Sequence, residues 1–150
     1  MLSVGGAALA GALALPPPRP AEAQALGAHE RVEDALRRVF GSRVLNDGTG
    51  IVKLDIPLIA ENGSVVPVAV DVASPMTAAS HVRHIYIVAD KNRIPIVTRV
   101  ALAPEAGQAS IGANIRLGET GDVRAIVEQS DGTLLQVKRE VKVTVGGCGG

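Results

Sequence analysis

Val52-Lys53-Leu54-Asp55-Ile56-Pro57-Leu58, then Glu61-Asn62-Gly63-Ser64, then Val66-Pro67-Val68-Ala69-Val70-Asp71-Val72: these three stretches decide how the chain folds. In the first, Val52, Leu54, Ile56 and Leu58 alternate with Lys53, Asp55 and Pro57, and in the third Val66, Val68, Val70 and Val72 alternate again. A period of two puts successive side chains on opposite faces of an extended chain, so both stretches are predicted strands. Asn62-Gly63 between them predicts a hairpin, because both residues tolerate the positive φ of tight turns. Pro67 cannot donate to a sheet ladder, so its strand is expected at an edge, where a second subunit would cover it.

Further apolar runs follow at Val82–Ala89, Ile94–Leu102, Ser110–Leu117, Val123–Glu128 and Leu134–Val145, separated by short polar turns. In the last, Leu135, Val137, Val141, Val143 and Val145 share one face, with Arg139 the exception. Upstream, Val32, Ala35, Leu36, Val39 and Phe40 form the stripe of an amphipathic helix, with Gly41 as its stop. Seven strands with no interleaved helix predict an all-β fold, an immunoglobulin-like antiparallel β-sandwich with a short N-terminal helix and a flexible C-terminal arm. A small barrel is the alternative.

Composition narrows the function. Hydrophobic residues make up 47% of the 150, but aromatics only 1%, Phe40 and Tyr86, so stacking platforms for bases or planar cofactors are not expected. Fifteen Lys and Arg balance fifteen Asp and Glu, leaving no field of one sign to attract nucleic acid or an anionic membrane.

Residues 1–25 read as an export signal. The chain is apolar or small from Leu2 to Leu15, is broken at Pro16-Pro17-Pro18, and continues as Ala21-Glu22-Ala23-Gln24-Ala25. Cleavage is expected after Ala25, with Ala23 the other candidate, and the run is shorter than the roughly 20 apolar residues that span a bilayer. No Lys, Arg or twin arginine precedes Leu2, so either the true signal starts upstream or the segment is an Ala-rich tail. On the first reading the chain is exported, and residues 26–145 form the domain that precedes the C-terminal residues. The single cysteine, Cys148, then has no internal disulfide partner.

The usual catalytic constellations are missing from the sequence. His29 reads as solvated, and His81 and His84 fall on opposite faces of a strand, which disfavours a metal pair. No phosphate-binding glycine pattern occurs. Asp55, Glu61, Asp71 and Asp90 sit at strand ends or turns, where carboxylates are solvated. What remains is Gly146-Gly147-Cys148-Gly149-Gly150. A thiol framed by glycines at the chain's end belongs to no core. Glycine leaves the backbone free, and five residues reach at most about 15–18 Å, so residues 146–150 suit an arm that offers Cys148 to a narrow channel on another protein. An accessible nucleophile on a slim stalk is what a covalent substrate carrier requires.

The chain resembles SoxY, the sulfur-compound carrier family of the bacterial thiosulfate-oxidising Sox system. The likeness rests on Leu54-Asp55-Ile56-Pro57, Ala60-Glu61-Asn62-Gly63, Val66-Pro67-Val68, Ser74-Pro75-Met76-Thr77, Ala89-Asp90-Lys91-Asn92 and above all Val145-Gly146-Gly147-Cys148-Gly149-Gly150. The resemblance implies that Cys148 carries thiosulfate as a cysteine S-thiosulfonate, with Gly146, Gly147, Gly149 and Gly150 as the swinging arm. It implies no cofactor beyond that covalent adduct, and a non-enzymatic role as heterodimer with a SoxZ-type subunit in the periplasm. It also implies transient partners: a haem-containing Sox cytochrome, a sulfate-releasing hydrolase and, where present, a sulfane dehydrogenase. Two rivals stay open: a ubiquitin-like sulfur carrier using the terminal Gly-Gly, and a scaffold module joined through a Cys148 disulfide.

Overall fold

The computed structural model describes Gly5, Gly6 and residues 29–148. The rest of the expected export signal, and Gly149 and Gly150, lie outside the described residues. One helix, α1 (Val32–Phe40), precedes nine strands: β1 (Leu45–Asp47), β2 (Val52–Asp55), β3 (Ile59–Asn62), β4 (Val66–Val72), β5 (Val82–Ala89), β6 (Ile96–Ala101), β7 (Ala109–Ile115), β8 (Gly121–Gln129) and β9 (Leu134–Val145). A 3-10 turn at Pro104–Ala106 links β6 to β7. The larger sheet runs β1-β9-β8-β5-β6, with β3 also paired to β9, and the smaller runs β2-β4-β7.

Two sheets packed face to face confirm the sandwich. Between them lie Leu54, Val66, Val68, Val70, Ile85, Ile87, Val123, Val127 and Val141, all buried. β5 and β8 are buried on their other face as well. There Tyr86, Val88 and Ile126 meet Val32 and Phe40 of α1, together with Leu134. The chain's two aromatic residues touch each other in this layer, with Phe40 edge-on to Tyr86 and ring centroids 4.9 Å apart. The helix obeys simple rules. Glu33 and Asp34 stand in its first turn and Arg37 and Arg38 in its last, as the helix dipole favours. Gly41, at φ +62°, closes it by donating to the Arg37 carbonyl at 2.8 Å.

Several expectations change. Among the described residues there are nine strands rather than seven, and the larger sheet is mixed, because β1 and β3 each pair with β9 in parallel. Both added strands have only three or four residues, too few to display a period. β2 and β4 do pair antiparallel, Val52 opposite Val72, but Asn62-Gly63 is no tight hairpin turn. The chain between them leaves to pair with β9, Gly63 has no positive φ, and Asn62 accepts from the Ser64 amide at 2.9 Å. Nor is β4 an edge strand, since it lies between β2 and β7. Pro67 is tolerated because β2 ends opposite Ala69, leaving it a neighbour only on the β7 side. β9 is not a bare edge either, since β1 and β3 cover it in turn.

Met76 is buried in the core, where its sulfur accepts from the Val82 amide at 3.4 Å. Asp90 is not simply solvated, because Arg124 Nε donates to it at 2.7 Å in a two-pronged pair. Arg139 on the core face of β9 lines an open groove of about 800 Å³ beside β2, so its charge keeps access to water.

Two outcomes test this architecture. Phe40→Ala removes the helix's main anchor and is expected to destabilise the fold by about 3–5 kcal/mol in urea unfolding. Glu128 governs the second. Burial by itself would raise its carboxyl, but hydrogen bonds from Arg43 Nη1 at 2.6 Å and His84 Nδ1 at 2.8 Å outweigh this and hold it below the ordinary 4.5. A carboxyl depressed by folding adds stability above its unfolded pKa and loses it as pH falls through the folded value. Unfolding midpoints measured between roughly pH 6 and pH 3 should therefore fall less steeply for Glu128→Gln than for the parent.

Candidate functional site at the root of the C-terminal arm

β9 carries the chain to Val145, and the arm begins at Gly146. It does not leave the body there. The Gly63 amide donates to the Val145 carbonyl at 2.7 Å, the Leu117 amide to the Gly63 carbonyl at 2.8 Å, and the Gly147 amide to the Leu117 carbonyl at 2.9 Å. Three segments distant in sequence are thus laced together through their backbones, and Arg116 Nη1 adds a bond to the Cys148 carbonyl at 3.1 Å.

So close an approach leaves no room for side chains. A Cβ on Gly63 would collide with the Leu117 carbonyl oxygen, and one on Gly146 with that of Gly118. A Cβ on Gly147 would come within 2.6 Å of the Gly63 oxygen and 2.8 Å of the Ser64 Cα. A flexible tether explains glycine at 146 and 147 by freedom of motion. The structure adds a second reason, which is fit: Gly147 is buried in its seat while Cys148 beyond it is exposed, with a free thiol.

The seat is itself braced. Asn92, only 7% exposed, is a buried polar residue. Its Nδ2 donates to the Arg116 carbonyl at 2.7 Å and its Oδ1 accepts from the Gly118 amide at 3.2 Å, holding the loop after β7 in position. Sequence reasoning missed Arg116, Leu117, Gly118 and Asn92. Asn62-Gly63 read as a turn and Ala89-Asp90-Lys91-Asn92 only as part of the family likeness, and folding brings Gly63 and Asn92 to the arm's root.

The histidines do not join them. His81 Nδ1 lies 3.0 Å from the Thr77 carbonyl and His84 bonds Glu128, while His29 is exposed. Among the described residues no three His, Cys, Asp or Glu side chains are grouped to hold a metal, and no helix is long and apolar enough to cross a membrane.

The solved structure of the sulfur carrier protein SoxY from Chlorobium limicola f thiosulfatophilum is similar at 29% identity and a TM-score of 0.63, covering 77% of this chain and 97% of that one. Superoxide reductases are similar in fold. The neelaredoxin from Ignicoccus hospitalis matches at 23% identity and TM-score 0.55 (62% of this chain, 80% of that one). The enzyme from Nanoarchaeum equitans matches at 12% and 0.53 (65% and 100%). No curated protein sequence matches the chain. The model of the family described as sulfur oxidation protein SoxY matches residues 36–148, from within α1 to the exposed cysteine itself, and the chain belongs to the SoxY family.

Proposed function

We infer that this protein is a covalent carrier of sulfur intermediates, holding thiosulfate-derived groups on Cys148 and presenting them to separate enzymes in the periplasm. The observation that carries this reading is the placement of the chain's single cysteine, exposed just past a glycine root, in a member of the SoxY family.

The chemistry balances with the partners named by class. The Cys148 thiolate and the sulfane sulfur of thiosulfate form a new S–S bond, and two electrons pass to a haem-containing Sox cytochrome. A hydrolase then adds water across the terminal S–S bond, releasing sulfate and two protons and leaving a cysteine persulfide. A sulfane dehydrogenase, where present, oxidises that remaining sulfur. The carrier supplies the nucleophile, the reach and a rigid body for recognition, and the enzymes supply the catalysis. A SoxZ-type subunit completes the heterodimer. Leu58, Ile59, Val65 and Val145 stand exposed on the segments that meet at the arm's root, which suits a partner subunit there.

Intact-mass measurement after thiosulfate turnover in the reconstituted system tests the reading. The expected result is one thiosulfate-derived adduct on Cys148, removed by reductant and absent from Cys148→Ser. Sulfur label on the carboxylate of Gly150 would instead establish the ubiquitin-like mechanism. Cells carrying Cys148→Ser should lose thiosulfate oxidation altogether; normal oxidation together with loss of a covalent dimer would establish the scaffold reading.

A further inference from the structure

Arg116 is not among the arginines committed to ion pairs. Arg31, Arg37, Arg38, Arg43 and Arg124 each pair with a carboxylate. The exposed Arg116 guanidinium has no carboxylate partner among the described residues, and it donates instead to the Cys148 carbonyl. It spends one N–H of five on the residue that bears the thiol. Its own backbone is fixed, because β7 ends at Ile115 and the buried Asn92 holds the Arg116 carbonyl at 2.7 Å.

We propose that Arg116 is a positioning residue that binds the anionic head of a sulfonate-bearing cargo on Cys148, so that the loaded arm rests more firmly in its glycine seat than the same arm with a neutral cargo. The proposal rests on Cys148 being the attachment point. A sulfonate sulfur on such an adduct lies two bonds beyond Sγ, within the sweep of a long side chain already bonded to the same residue. The planar fork of a guanidinium matches two oxygens of an oxyanion, where an ammonium offers a point charge. The seat needs no rearrangement to receive it, because Gly147 is already bonded to Leu117. Recognition of the cargo and docking of the arm then become one event. Loss of the sulfonate as sulfate weakens the hold on the arm.

The test uses the full chain, whose one cysteine makes labelling unique. Cys148 is loaded with either 2-sulfonatoethyl or 2-hydroxyethyl methanethiosulfonate. In each case the thiolate attacks the sulfenyl sulfur, the new S–S bond forms, and methanesulfinate leaves with the electron pair. The two adducts differ in charge at the same distance. Hydrogen exchange of the Gly147 amide, the donor to Leu117, reports docking. At low salt the sulfonate adduct should slow that exchange by about two- to fivefold relative to the hydroxyl adduct, the range of an exposed charge pair, and high salt should erase the difference. Arg116→Ala and Arg116→Gln should bring the ratio to one, and Arg116→Lys should restore part of it. Gly63→Ala, which obstructs the seat, should speed exchange in both adducts alike. Equal rates for the two adducts in the parent protein, or a ratio unchanged in Arg116→Gln, would overturn the proposal. Because the adduct is attached chemically, either result is independent of whether thiosulfate is the physiological cargo.

Discussion

β5 and β8 are buried on both faces, and the other elements take their places from that pair. On one side Ile85, Ile87, Val123 and Val127 meet the smaller sheet, and on the other Tyr86, Val88 and Ile126 meet α1. Burying one large aliphatic side chain contributes about 1.5–3 kcal/mol, so two apolar faces on adjacent strands make this the least yielding part of the molecule. The helix has only nine residues, too few to persist alone in water, and exists because this face needs cover. With almost no aromatic residues, close packing is achieved by branched aliphatics and a single Phe–Tyr contact.

From that base β9 extends past its neighbours. Its first half pairs with β8 and β1, and its last residues pair with β3. β3 delivers Gly63, and the loop after β7 delivers Leu117 and Arg116, so both sheets contribute to the arm's seat. Backbone meets backbone there without intervening side chains, an approach only glycine permits. Few side chains are committed at the seat, and Gly147 is bound mainly by one amide bond to Leu117. Superoxide reductases are similar in fold, and a shared fold does not by itself dictate chemistry.

Local pattern was enough for the fold class, the helix, most strands and the identity of the exposed thiol. Alternation in Val66–Val72, the stripe from Val32 to Phe40 and the glycine frame of Cys148 can all be read within a few residues of themselves. The rest depended on how the chain packs. Leu45–Asp47 and Ile59–Asn62 become strands because β9 offers them an edge, and no property of three or four residues announces that. Pro67 looked like the mark of an edge strand because its missing donor is visible in sequence, whereas the point at which β2 stops is not. At the functional end, Gly146 and Gly147 read in sequence as freedom of movement. Folding showed them also as absence of bulk, because the carbonyls that exclude a Cβ come from Gly63 and Gly118, far along the chain. Arg116 gave no signal for the same reason: its meaning is a distance to Cys148, and a distance between remote residues is settled by packing alone.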